Sequence, residues 1–292
     1  MPRVVLDGVG LHYHRRPGAP VVVLVHGLAT NVGFWYLKVL PALRADFGVL
    51  LFDLRGHGQS DTPPSGYTTK VMAQDLDALL QGLGIERAHV VGHSYGGAVA
   101  LHHAVLHPKR VLSLTLADAR IRCLQPSQRL AHWPKSVRRL GLKNAPVRIE
   151  DGPEMGLGLL EALAGSSRRP GAPNGTLGGP VASGAFSPFG LSRGRDRTAK
   201  QWLSLLRTTT ARREFEQVSG LTVARVGEVR QPVLAIFGEY SPCLRSLRGL
   251  QKTLSDCRVV IVPDAGHFHP VVRPRFFAGA VETFIDDVGP RV

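Results

Sequence analysis

The stretch Ala88-His89-Val90-Val91-Gly92-His93-Ser94-Tyr95-Gly96-Gly97-Ala98-Val99-Ala100 decides how this chain is read. A short apolar run ends in Gly92-His93-Ser94-Tyr95-Gly96, and a run of small residues with helical character follows without a break. That order predicts a strand, a sharp turn and a helix, with Ser94 at the apex. Where the backbone doubles back, the residues two before and two after the serine must lack a Cβ, and both are glycine. The turn exposes the hydroxyl, and the start of the following helix favours negative charge beside it. Ser94 is the candidate nucleophile.

Outward from this turn, short apolar runs alternate with helical patterns. Val4-Val5-Leu6 and Leu11-His12-Tyr13-His14 bracket Asp7-Gly8-Val9-Gly10 and read as a hairpin. Val21–Val25 and Val49–Phe52 are unbroken apolar runs, as expected of strands buried on both faces. A helix is expected from Trp35 to Arg44 and another from Tyr67 to Leu83, and Leu112–Leu116 supplies the strand after the serine turn. Strand and helix in alternation imply right-handed crossovers and a parallel sheet, hence an α/β fold. The pattern breaks after Ala119 and resumes with Val233–Phe237, Arg258–Val262 and a last helix over Arg275–Val288.

The expected organisation is a core of residues 1–119 and 229–292, with 120–228 inserted as a helical lid. Helical pieces are expected over Pro126–Arg139, Met155–Leu163, Thr198–Thr208 and Arg212–Val218. Between them, about 165–195 is rich in Gly, Pro, Ser and Arg and buries too little apolar surface to order itself, so a flexible segment is expected there. An insert between two strands packs over their carboxyl ends, where ligands bind in such sheets. Trp133, Leu159, Leu160, Phe186, Phe189 and Trp202 could line an acyl or aromatic pocket there, or serve as ordinary lid-to-core packing.

Composition narrows the class further. With 292 residues, 43% of them hydrophobic, the chain can bury one sizeable core. No apolar run approaches the roughly 18 residues that span a bilayer, and the first residues lack the apolar region of a signal peptide. Cys123, Cys243 and Cys257 form neither a disulfide framework nor a zinc spacing, and a cytoplasmic location is expected. The net charge of +14 is concentrated: between Arg120 and Arg230, 19 Lys/Arg stand against 8 Asp/Glu. Either this is a solvated arginine-rich surface, or it is a basic rim that steers an anionic or carrier-bound substrate. No nucleic-acid partner is expected. Neither a phosphate-cradling loop nor a flavin or nicotinamide fingerprint is present, so no cofactor and no metal is expected.

A serine hydroxyl needs a base to take its proton, and the base needs a third group to orient it. Of 12 histidines, His267 is the best base, in the loop Val262-Pro263-Asp264-Ala265-Gly266-His267-Phe268-His269 after the last strand. There Gly266 would let it swing over the sheet. His269 is a nearby rival, while His93 and His102 read as structural.

Four motifs in this order, His26-Gly27-Leu28, Asp53-Leu54-Arg55-Gly56-His57-Gly58-Gln59-Ser60, Gly92-His93-Ser94-Tyr95-Gly96-Gly97 and Gly266-His267, resemble the α/β-hydrolase fold superfamily. The stretch from Asp53 to Ala100 is most similar to its cofactor-free esterases, enol-lactonases, haloperoxidase-like enzymes and carbon–carbon hydrolases. The resemblance implies an α/β-hydrolase fold and a serine hydrolase acting on an ester, thioester or lactone-like carbonyl. It implies an oxyanion hole from the Leu28 and Tyr95 backbone N–H groups and a structural role for Asp53–Ser60. It also implies a triad acid in the turn Gly238-Glu239-Tyr240-Ser241-Pro242, but Ser241 stands where aspartate is expected. The acid is expected to have moved to Asp118, 24 residues past Ser94 at the end of the preceding strand, with Glu239 as the alternative; otherwise no acid remains. In the last case the fold would act as a ligand-binding protein, or as a lyase or cyclase without an acyl-enzyme.

Overall fold

A computed structural model describes residues 2–127 and 195–289, with positions 157, 160, 161 and 164 between them. The flexible segment expected at 165–195, most of the expected helices over Pro126–Arg139 and Met155–Leu163, and Trp133, Leu159, Phe186 and Phe189 lie outside the described residues.

Eight strands form one sheet in the order β1-β2-β4-β3-β5-β6-β7-β8. Their ranges are β1 Arg3–Leu6, β2 Val9–Arg16, β3 Val21–Val25, β4 Gly48–Phe52, β5 Ala88–His93, β6 Val111–Ala117, β7 Val233–Gly238 and β8 Cys257–Val262. β1 and β2 form the expected hairpin, with Leu6 opposite Val9, and β2 joins β4 antiparallel. Every other pairing is parallel. β4, β5 and β7 are buried along their whole length, whereas the apolar run of the edge strand β8 is only partly buried and leaves Ile261 exposed. Parallel strands need crossovers, so both sheet faces are covered and neither can alternate apolar with polar.

One face packs on the helices Thr69–Gly82 and Tyr95–Leu106 through Met72, Leu76, Leu79, Val99 and Leu101. The other packs on the helix Pro274–Val288 through Phe277, Val281, Phe284 and Ile285, with Trp35 stacked on Phe277 at 5.8 Å. Thr68 caps the first of these helices by accepting the Val71 N–H.

Two expected helices are shorter than their patterns. Trp35–Arg44 becomes the single turn Gly33–Tyr36 and a short 3₁₀ turn Leu40–Ala42, because Pro41 has no N–H and disfavours helix before it. Arg212–Val218 yields only Ala211–Glu214. The helix Arg195–Thr208 forms and lies over the loop after β4: Gln201 donates to the Gly58 carbonyl at 3.0 Å, and Trp202 stacks on Phe215 at 5.7 Å. No helix among the described residues is long and apolar enough to cross a membrane.

An unusual share of the core's polar content is histidine. Burial lowers His57 to a pKa of about 3 and His89, His102 and His269 to about 4. In each the folded-state value lies below that of the unfolded chain, so the unfolded chain takes up protons first. This contribution to stability is complete above pH 6.5 and is lost as pH falls towards 4. A thermal melt followed by circular dichroism should therefore show Tm falling steeply as pH drops from 6.5 to 4.5. A level Tm down to pH 5 would contradict it.

Candidate active site

The serine turn is built by close approach. A Cβ at Gly92 would stand 2.3 Å from the Gly96 carbonyl, and one at Gly96 would stand 2.3 Å from the His26 carbonyl. One at Gly97 would stand 2.5 Å from the Ala119 Cβ. Ser94 itself takes φ 55° and ψ −120°, a conformation that costs a non-glycine residue roughly 1–3 kcal/mol. The bonds that hold it there are Ser94 N–H to the Ala117 carbonyl at 3.0 Å and Gly97 N–H to the Ser94 carbonyl at 3.1 Å.

Three sequence-expected side chains come together at the carboxyl ends of the strands. The Ser94 Oγ lies 2.9 Å from His267 Nε2. On the far side of the ring, Nδ1 is 3.4 Å from Asp118 Oδ2, an ion-pair distance rather than a tight hydrogen bond, and Oδ2 has no closer partner. Asp118 is fully buried with φ 45°; its Oδ1 accepts the Gly238 N–H at 3.1 Å, and its own N–H donates to Ile236. Burial works against the charged form of His267, but the Asp118 carboxylate and the sulfur of Cys243 outweigh it and hold the ring above its ordinary value.

The other expected positions are placed elsewhere. Glu239 is exposed and its carboxylate accepts the Asp264 N–H at 3.0 Å, so it turns away from the ring. Ser241 is buried, and its Oγ accepts the Cys243 N–H at 2.9 Å. A hydroxyl there closes the turn and leaves the imidazole to other groups. His269 is buried on the Ile236 carbonyl at 3.2 Å, and His102 bonds Thr69 at 2.9 Å. The flexibility expected of Gly266 is not used: the positive φ of this loop falls on Asp264, at 52°, because the chain reverses one turn earlier.

The loop after β3 lies directly over the serine, since a Cβ at Gly27 would stand 3.0 Å from the Ser94 Cβ. Neither the Leu28 nor the Tyr95 backbone N–H has a partner among the described residues. His26 braces that loop. Its Nε2 accepts the Leu54 N–H at 3.1 Å, so Nδ1 carries the proton and donates to the Gly27 carbonyl at 2.8 Å. Asp53 ties in the neighbouring segments, with Oδ1 accepting Val32 N–H at 2.7 Å and Oδ2 taking Gln59 N–H at 2.9 Å and His12 Nδ1 at 2.6 Å.

Two further groups lie against His267: Cys243, to which the sequence assigned no part at this site, and His93, which it marked as structural. Cys243 Sγ lies 4.0 Å from His267 Nδ1, and His93 Nε2 lies 2.8 Å from the His267 carbonyl. Nothing local marks Cys243, whereas His93 was visible beside the serine as a polar residue at the end of a buried strand.

A sharp serine turn after β5, with a histidine from the loop after β8 at hydrogen-bond distance from the hydroxyl, completes a mostly parallel α/β architecture. Residues 20–274 match the model of the alpha/beta hydrolase fold family, and the chain belongs to that family of enzymes. The putative carbamate hydrolase RutD of Stutzerimonas stutzeri (strain A1501) is 43% identical over 110 residues, 37% of this chain and 41% of that protein. A fluoroacetate dehalogenase of a Burkholderia species is 38% identical over 104 residues, 34% of each. The similarity thus spans less than half the length of these curated relatives. Among solved structures, a hydrolase from Pseudomonas aeruginosa PA01 is 28% identical with a TM-score of 0.63, covering 97% of each chain. The enol-lactonase from Burkholderia xenovorans LB400 shares the fold at 22% identity and a TM-score of 0.63, over 97% of this chain and 99% of that one.

Gly96→Ala should push the turn off the end of β3. The expected loss is about 1–3 kcal/mol or more by urea melts, together with loss of covalent labelling of Ser94 by a fluorophosphonate. Wild-type stability and labelling in this variant would show that the crossing has room to spare.

Proposed function

We propose that the chain is a serine hydrolase that cleaves an ester, thioester, lactone or carbamate carbonyl through an acyl-Ser94 intermediate. The observation that carries this reading is the 2.9 Å contact between Ser94 Oγ and His267 Nε2, with a buried carboxylate behind the ring. His267 Nε2 takes the proton as Oγ attacks the carbonyl carbon, and the Leu28 and Tyr95 N–H groups receive the charge that develops on the carbonyl oxygen. Donors fixed in advance help because they favour the transition state over the ground state, and one is typically worth roughly 10²–10³ in rate. His267 then gives its proton to the leaving group, whose departure leaves the acyl ester on Ser94. A water repeats the sequence, with its proton passing to Nε2 and then to Oγ. Asp118 keeps the Nδ1 proton in place and opposes the charge on the ring, as the third member of such a triad does.

The names of the relatives fit this class unevenly. A carbamate carbonyl suits an acyl-serine route. Dehalogenation through a covalent alkyl ester calls for a carboxylate nucleophile, and a serine at position 94 argues against that chemistry. The small-molecule substrate would be acyl-bearing, and the arginine-rich region 120–230 suits an anionic or carrier-bound one. A catalytically weak ligand-binding protein, or a lyase or cyclase, is the second reading, favoured by Ser241 in the family's acid position and by the 3.4 Å spacing at Asp118. Turnover of short p-nitrophenyl esters with an acyl-Ser94 adduct in the mass spectrum decides for hydrolysis; ligand binding without an adduct decides against it.

Fluorophosphonate should label the wild type and leave Ser94→Ala unlabelled; equal labelling of both would remove Ser94 from the reaction. Asp118→Asn should lower kcat by about 10⁴-fold, as expected when the base is left in the wrong tautomer, while Glu239→Gln stays near wild type. The opposite pattern would move the acid to Glu239. Because the base works deprotonated and its neighbours hold it above 6.5, kcat/KM should rise with pH through an apparent pKa above 6.5. That value should fall towards 6.5 in Asp118→Asn.

A further inference from the structure

Resting on the serine-hydrolase reading, we infer that His93 is a positioning residue that fixes the base His267 against the nucleophile by binding its backbone. The link is one hydrogen bond, His93 Nε2 to the His267 carbonyl at 2.8 Å, between residues 174 apart in the chain. A carbonyl only accepts, so Nε2 carries the proton and Nδ1 is bare. Nδ1 has no partner and faces Gly27, where an added Cβ would stand 3.2 Å from it. The tautomer is therefore set by the catalytic loop alone.

The ring cannot swing away. It is 1% exposed, stacks on Phe34 at 4.6 Å and 23°, and meets Trp35 edge-on at 6.3 Å and Phe268 at 5.9 Å. Phe34 and Trp35 follow the loop over the serine, Phe268 follows the base, and His93 precedes the nucleophile. One imidazole thus joins all three segments of the site. Asp118, Cys243, His93 and His269 are the titratable groups that face His267. Burial and the neighbouring His267 ring, 4.8 Å away, hold His93 well below the ordinary imidazole value, so it stays neutral while His267 gains and loses charge. A cationic residue in its place would oppose the imidazolium on which catalysis depends.

Misplacement by about 1 Å at a reacting pair can cost on the order of 10²-fold in rate. The test compares His93→Gln, whose amide nitrogen reaches the place of Nε2, with His93→Asn, whose nitrogen reaches only the place of Nδ1, and with His93→Ala. Circular dichroism and Tm establish that each is folded. The expected result is that Gln keeps most of the wild-type rate of Ser94 labelling by fluorophosphonate. Asn and Ala should lose about 10²-fold in labelling and in kcat on a p-nitrophenyl ester, with KM little changed. In ¹⁵N-correlated NMR spectra the His267 ring signals should keep their wild-type positions in Gln and move in Asn. Should the Ala variant fail to fold, the Gln and Asn pair still decides, because the two differ by one methylene. Equal behaviour of Gln and Asn, whether both fast or both slow, overturns the assignment. If the wild-type protein neither labels nor turns over an ester, the hydrolase reading falls, and the His267 signals still report whether His93 positions the ring.

Discussion

At Gly96 the serine turn passes so close to the end of β3 that the His26 carbonyl occupies the space a side chain would need. This crossing stacks Ser94, the loop above it and the start of the helix Tyr95–Leu106 within one contact. Parallel pairing of β5 with β3 on one side and β6 on the other leaves the turn no freedom to relax. The strain at Ser94 is therefore held by the sheet, and the sheet is held by burial of β4, β5 and β7 between two layers of helices.

Around that crossing the protein uses polar groups as struts. Asp53 and His26 act as braces: both bond backbone groups of the loops beside the serine, and Asp53 also holds the His12 ring of β2. Buried polar networks of this kind are rigid when fully satisfied and costly when one member is lost. The rigidity matters because a donor aimed at a developing charge helps only if it does not have to move. His93 applies the same principle to the base.

The carboxyl ends of β6 and β7 set which side chains meet the His267 ring. β6 and β7 are adjacent and parallel, so the turns that follow them open at the same height above the sheet. With Ser241 closing its turn through the Cys243 N–H, Asp118 is the carboxylate beside Nδ1, held by the Gly238 N–H from β7 and sharing that side of the ring with Cys243 Sγ.

Most of the sheet, the serine turn and its glycines were legible in the sequence, because each rests on a local cause. Apolar runs mark strands buried on both faces, and the absence of a Cβ at Gly92 and Gly96 is demanded by the turn itself. His267 could be proposed from its place after the last strand, and the family resemblance favours Asp118 over Glu239, with no local feature to separate the two. Both follow strands, and a carboxylate's direction is not written in its neighbours. Only the tertiary structure turned Glu239 to solvent and Asp118 inward, set Cys243 beside Nδ1, and brought His93 to the His267 carbonyl. These contacts join residues up to 174 positions apart, and their distances are fixed by the order in which parallel strands stack, a property of the whole chain rather than of any segment of it.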